Sequence, residues 1–332
     1  MAGYARSDAR EWIRRRLRKY IAVLYTPFED DGDVDEMGLR HNVEHVLGLP
    51  GVGGLSVNSI HQEFWTLTLD ERTRVTDVVL ETVAGRVPVI VGVSDPSARN
   101  VIRLARHAER AGADAVMVWP PYYGPRTTEG VQRFYRQVAE GIDIGFFAYS
   151  TTLTELGFYL TPDALADLLD IEHLCGVQDT SQSFSNFGRM IERVGDKLPV
   201  STSLEETFLF GKLAYGDALV PDFLIGSSRP LLVQSHSNPR CGRFIESALA
   251  RDFTEAAAHM REIVALAQLL QGRYFAHGSH HVALTKTLAG FLGMKTHGFR
   301  PPLCPPSTEA MHECLRILVE AKLVDAARLS NM

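Results

Sequence analysis

The chain has 332 residues, with 34 Lys+Arg against 40 Asp+Glu, a formal net charge of −6 and 45% hydrophobic residues. That balance provides no positive field for a phosphate backbone, which excludes sequence-independent nucleic-acid binding, and no apolar run reaches the ~18 residues of a membrane-spanning helix. Cys175, Cys241, Cys304 and Cys314 show no C-x-x-C spacing, so neither a disulfide framework nor a structural zinc site is indicated.

In chain order, residues 1–19 come first as a basic helix. Ala9, Trp12, Ile13, Leu17 and Tyr20 recur every three to four positions and form one apolar stripe, with the arginines expected to face away. Arg10, Glu11, Arg14, Arg15, Arg16, Arg18 and Lys19 break up the apolar core a secretory signal needs, so a cytoplasmic protein is expected. The stripe is short for a membrane-surface helix, and the expected role is a lid on one end of the next domain.

Residues 20–238 alternate short apolar, β-branched runs with longer amphipathic ones. Strands are expected at Tyr20 to Thr26, Val52 to Asn58, Val87 to Val93, Ala113 to Trp119, Ile144 to Tyr149, His173 to Gln178, Pro199 to Ser203 and Phe223 to Ser227. Helices are expected at Glu36 to Leu47, Leu69 to Ala84, Pro96 to Ala111, Thr128 to Glu140, Thr161 to Leu169, Phe184 to Val194 and Glu205 to Tyr215, with Asp95-Pro96 and Thr161-Pro162 as start signals. Such βα repetition predicts an α/β protein, a (β/α)8 TIM barrel with a C-terminal helical extension. A doubly wound sheet would want a Gly-rich loop after its first strand, where Tyr25-Thr26-Pro27-Phe28 stands instead. Residues 239–332 read as a helical domain, with helices at Pro239 to Arg251, Phe253 to Leu270, His281 to Leu292 and Ser307 to Leu329, interrupted by Gly272, Gly293 and a Pro-rich stretch from Phe299 to Pro306.

A barrel of this kind builds its site at the C-terminal ends of the strands. The residues there are Thr26; Asn58, Ser59, His61 and Glu63; Trp119 and Tyr122; Tyr149 and Ser150; Gln178 and Asp179; Glu205; and Ser228 and Arg229. This polar, aromatic rim suits a small carboxylic acid, its oxygens held by Arg229 and hydroxyls and its water excluded by aromatic rings.

The same loops carry a family resemblance. Tyr25-Thr26-Pro27-Phe28 with Asp31-Gly32 and Asp35, Gly53-Gly54-Leu55 leading to Glu63, Val87-Pro88-Val89-Ile90-Val91-Gly92-Val93, Ala111-Gly112-Ala113-Asp114-Ala115, Pro120-Pro121-Tyr122-Tyr123 and Arg300-Pro301-Pro302-Leu303 keep one order along residues 20–308. Together they resemble the dihydrodipicolinate synthase/N-acetylneuraminate lyase family. The resemblance implies a barrel with a C-terminal helical domain, a homotetramer built as a dimer of dimers, and lyase chemistry through an imine between a sixth-strand lysine and a 2-oxo acid.

Where that lysine belongs, this sequence has Gln178, whose amide nitrogen has no nucleophilic lone pair. Ile60 and His61 replace the family's paired hydroxyls, and Phe147 falls at its fifth-strand tyrosine unless Tyr149 substitutes from a shifted register. Lys197, Lys212, Lys286 and Lys295 lie at a strand entrance, within a helix or in the extension.

Three readings remain open. One is an imine-free aldolase or hydro-lyase on a small oxo or hydroxy acid, with His61, Gln178 and Tyr149 catalytic, the other rim residues binding substrate, and no cofactor. In another, His61 with Glu63, Asp179, Glu205 or Glu206 holds a divalent ion, although acids such as Asp179 and Glu205 commonly cap helices. In the last, the protein is a catalytically inactive ligand-binding or assembly subunit. A cytoplasmic homotetramer with no nucleic-acid or membrane partner is expected in each.

Overall fold

The computed structural model describes residues 3–152, 158–276 and 281–327. Its elements are α1 (Ala9–Arg16), β1 (Lys19–Val23), α2 (Glu36–Leu47), β2 (Val52–Val57), α3 (Leu69–Val83), β3 (Val89–Gly92), α4 (Ala98–Ala111), β4 (Ala115–Val118), α5 (Thr128–Glu140), β5 (Phe146–Thr151), α6 (Pro162–Ala166), β6 (Leu174–Thr180), α7 (Phe184–Val194), β7 (Val200–Ser201), α8 (Glu205–Tyr215), β8 (Phe223–Ile225), α9 (Arg240–Leu249), α10 (Phe253–Ala276), α11 (His281–Phe291) and α12 (Thr308–Glu320).

The eight strands form one parallel sheet in the order β7-β6-β5-β4-β3-β2-β1-β8. Its two ends meet where the Ile225 amide donates to the Thr202 carbonyl at 3.0 Å. This is the (β/α)8 TIM barrel expected from the alternation, with a C-terminal helical part. The strands are buried on both faces because helices cover a parallel sheet, so they read as continuous apolar runs.

The chain divides into two compact units, each discontinuous in sequence. The first comprises residues 1–21, 53–57 and 85–226; the second comprises 22–52, 58–84 and 227–332.

Local signals explain most element ends. Thr161 caps α6 through the Ala164 amide with Pro162 following, and Thr68 and Glu71 close a capping box on α3. Three expectations change. Asp95 does not cap α4: Ser97 takes that position, and the Asp95 carboxylate accepts from the Ser97 amide and Asn100 Nδ2. Gly272 does not interrupt α10, which continues to Ala276. The last helix stops at Glu320, and the end of its expected span, 328–329, lies outside the described residues.

The arginines of α1 and of the turn before it do not all face away. Arg10 donates to the carbonyls of Leu169, Ile171 and Leu174, Arg14 to Gly195 and Arg6 to Ile142, while Tyr4 Oη bonds both the Asp114 carbonyl and the Gly145 amide. Carbonyls at the entrance to β6 and in nearby loops need donors once water is removed, and guanidinium groups supply several each. The basic residues are thus anchors of this helix at the N-terminal ends of β5 and β6.

Candidate active site

In the first unit, strand alternation sorts the expected residues onto two faces. Phe147, Tyr149 and Thr151 share one face of β5 and register with Gly176, Gln178 and Thr180 of β6. The Phe147 ring meets Phe223 of the non-adjacent β8 edge to face at 6.3 Å, which identifies this face as the barrel interior. A Cβ on Gly176 would lie 2.2 Å from the Phe147 ring, so glycine at that position makes room for the phenylalanine.

Gln178 is buried, and its Nε2 passes over β7 to donate to the Ile225 carbonyl at 2.9 Å. Gly226, with φ of +80°, permits this approach, since a Cβ there would stand 2.8 Å from Nε2. Tyr149 is the register partner of Gln178. Its ring stacks on Trp119 with centroids 4.4 Å apart and planes 15° apart, and its Oη accepts from Thr180 Oγ1 at 2.8 Å. Burial raises the Tyr149 pKa, so the phenol holds its proton near neutrality.

Ser150, Asp179 and Glu205 belong to the opposite layer. Ser150 donates to the Leu160 carbonyl at 3.1 Å, and Asp179 Oδ1 accepts from the amide and hydroxyl of Ser181. Asp179 Oδ2 is buried with no hydrogen-bond partner, and burial raises the pKa of the carboxyl. Asp179 caps no helix, because Ser183 caps α7; Glu205 lies inside α8, where its Oε1 accepts from Tyr20 Oη at 2.9 Å. Tyr122 follows β4 in the same unit, next to Tyr123, which is 83% exposed. A cleft of about 390 Å³ between α6 and α7, lined by Tyr159, Thr161, Asp163, Arg189 and Arg193, contains none of the expected residues.

The second unit gathers Thr26, Asn58, Ser59, His61 and Glu63 around two successive 3-10 turns, Ile60–Gln62 and Phe64–Thr66. Asn58 and Glu63 both adopt positive φ, 52° and 57°. The Asn58 amide donates to Gln62 Oε1 at 2.6 Å, and its Nδ2 donates to the Arg72 carbonyl and to Thr76 Oγ1, so this side chain holds the turn against α3. Thr26 Oγ1 donates to the Gln62 carbonyl at 3.2 Å. Ser59 Oγ is buried without a hydrogen-bond partner. The half-buried His61 ring lies edge to face with Tyr25 at 5.8 Å and with His281 at 6.1 Å.

Glu63 is bound by a residue that composition did not single out. Lys286 of α11 places Nζ 2.7 Å from Glu63 Oε1 with both side chains sealed from solvent, and also donates to the Gly298 carbonyl at 2.7 Å. Phe28 and Phe299 present their ring faces to the ammonium at 4.5 and 4.8 Å. Burial raises the Glu63 pKa and lowers that of Lys286. Ser228 and Arg229 lie in the turn after β8, Ser228 as the N-cap of the 3-10 turn Arg229–Leu231. Among the described residues no three His, Cys, Asp or Glu side chains are grouped as metal ligands would be.

The dihydrodipicolinate synthetase family profile matches residues 16–321. The chain belongs to the dihydrodipicolinate synthetase family. It is 31% identical over 294 residues to the 4-hydroxy-tetrahydrodipicolinate synthase of Methanothrix thermoacetophila, covering 88% of this chain and 92% of that one. It is 28% identical to the enzyme of the same name from Phenylobacterium zucineum, covering 92% and 98%. Among solved structures it superposes on the chloride-inhibited dihydrodipicolinate synthase from Acinetobacter baumannii complexed with pyruvate, with TM-score 0.79, 23% identity and coverage of 92% and 99%. A prophage protein of the dihydrodipicolinic acid synthase family from E. coli K12, in complex with pyruvate, gives TM-score 0.78, 23% identity and coverage of 92% and 99%. Membership makes this a lyase-type, aldolase family protein of small acid substrates.

Within that frame, the sequence places Thr180 at a strand end and Lys286 in the extension without assigning either a role, and it gives none to Gln62 or His281. Thr180 and Gln62 sit beside residues already singled out, but nothing in the linear sequence joins His281 to His61 or Lys286 to Glu63.

Proposed function

We propose that this member of the family acts as a lyase on a small oxo or hydroxy acid, of the aldolase or hydro-lyase type, without a lysine imine. The reading rests on Gln178: it faces the barrel interior on β6, beside Tyr149, and its amide nitrogen is a hydrogen-bond donor. An amide polarises a carbonyl or steadies a developing enolate oxygen, and a buried, protonated phenol does the same or delivers a proton. Trp119 shields the phenol from water on one ring face. Lys212, in α8, is committed to Asp217, Asp222 and the Val220 carbonyl.

For His61 we propose the role of proton carrier, since an imidazole titrates near neutrality. The chemistry needs no resident cofactor, and we propose a cytoplasmic homotetramer in line with the family resemblance. The pyruvate complexes of two structural neighbours support a 2-oxo acid as the first probe.

The test combines trapping with turnover. The protein is incubated with pyruvate and a panel of 2-oxo acids, borohydride is added, and the intact mass is measured. The expected result is activity or C–H exchange with no reduced adduct. An adduct mapped to any lysine overturns the imine-free reading, and the absence of activity across the panel moves the protein to a binding or assembly role. His61→Ala is expected to lower the rate by about 10²-fold or more.

A further inference from the structure

The turn carrying His61 is held by α11 at three places. Val282 and Ala283, both fully buried, pack with Leu303 against Ile60 and Trp65 on either side of the turn. Lys286 reaches Glu63 inside the fold. The third contact is His281, whose ring meets that of His61 at 6.1 Å with planes 87° apart. Apolar packing and a buried ion pair fix the helix, so His281 is presented to His61 from a rigid element, as a group that hands over protons requires.

The geometry points to His281 as the second imidazole of the His61 site, a proton-transfer partner supplied by the C-terminal helical part. This deepens the acid–base reading of His61 given above and rests on it. Neutral His61 removes the proton from the carbon next to the substrate carbonyl; the C–H bond breaks, its electron pair becomes the enolate, and an N–H bond forms on the ring. His281, as imidazolium, gives its proton to the enolate oxygen, leaving a neutral enol. Both rings return to their starting states by exchanging protons with water, so no oxidant, metal or co-reactant enters the balance.

Adjacent imidazoles are suited to this division, because two neighbouring cations repel and the pair favours one charged and one neutral ring. Among the described residues, Tyr25 meets the His61 ring edge to face, and the oppositely charged Glu63 and Lys286, with Arg300 adding its charge at Glu63, belong to the same turn and helix as the two rings.

Two measurements test the pairing. Exchange of the pyruvate methyl protons in D2O, followed by proton NMR, is expected to proceed with wild type and to slow by about 10²-fold or more in His281→Ala. Separately, in protein with carbon-13-labelled histidine, the His61 ring is expected to titrate with a different midpoint in His281→Phe than in wild type, as the coupling of two neighbouring titrating rings requires. The proposal is overturned if His281→Ala exchanges at the wild-type rate, or if the His61 midpoint is the same with and without His281. If wild type exchanges no 2-oxo acid, the acid–base reading of His61 fails on its own, and the midpoint alone decides whether the two rings are coupled.

Discussion

The two compact units are held together by different chemistry. The first is ordered by repeated apolar strands, and its candidate residues fall into place by alternation: Gln178 and Tyr149 inward, Asp179 and Ser150 toward the opposite layer. The first also has long-range hydrogen bonds, which from Arg10, Arg14 and Tyr4 hold its terminal helix, whereas the second uses polar anchors between residues far apart in the chain to bring its functional loops to its helices. Lys286 meets Glu63 across 223 positions, Arg300 meets Glu71 across 229, and Asn42 clasps the backbone of Lys295 across 253. A periodic pattern is written in one short window and shows which side of an element is buried. A distant ion pair leaves no local trace, yet it determines which loops come together.

The contrast predicts that the units fail in different ways. The largest effect is expected in the second unit, where Lys286→Met leaves the Glu63 carboxyl buried without its partner. Breaking a buried pair from one side costs about 3–5 kcal/mol, whereas replacing both members with apolar groups is close to neutral. Denaturant unfolding followed through Trp65, which packs beside α11 residues, is expected to show that loss in Lys286→Met and its recovery in Glu63→Leu/Lys286→Met. A single variant as stable as wild type would show that the pair does not anchor this unit. In the first unit, Gly176→Ala introduces a Cβ within 2.2 Å of the Phe147 ring. Overpacking of a closed interior costs about 1–3 kcal/mol, and Phe147→Leu in the same chain is expected to relieve it. If Gly176→Ala unfolds at the wild-type midpoint, the barrel interior is looser than its packing implies.

These differences also explain what could be read from the sequence. All eight strands were legible because each lies in a short, mostly apolar run between longer helix-period stretches, and Gln178 was visible as a polar residue at the end of one. The ends were less legible: β5 and β6 continue to Thr151 and Thr180, and that extra length brings the Thr180 hydroxyl to Tyr149. Collecting every residue at the strand ends as one rim ignored the two-residue period, which separates neighbours such as Tyr149 and Ser150. In the sequence Arg10 is one more arginine of a basic helix, because the carbonyls that recruit it lie 159 to 164 positions away. His281 and Lys286 appeared to be ordinary positions of a helical extension, because their partners are distant in the chain.

The smallest expected effect, a change in the shape of the acid limb, tests the comparison most finely. His173 is buried in the first unit, and burial, aided by the Arg6 charge, lowers its pKa from 6.5 to about 4. The folded protein therefore refuses a proton that the unfolded chain accepts, so this contribution is complete above pH 6.5 and is lost as the pH falls from 6.5 to about 4. Glu71 in the second unit is held down by hydrogen bonds from Arg300, which lower its pKa from 4.5 to about 2. Its contribution is present above pH 4.5 and is lost as the pH falls from 4.5 to about 2. Unfolding free energies measured across pH are then expected to decline in two stages. His173→Gln should flatten the upper stage and leave the lower one, while Glu71→Gln should do the reverse. If either substitution flattened both stages, the losses would share one origin, and the distinction between an apolar barrel unit and a charge-anchored second unit would not hold under acid.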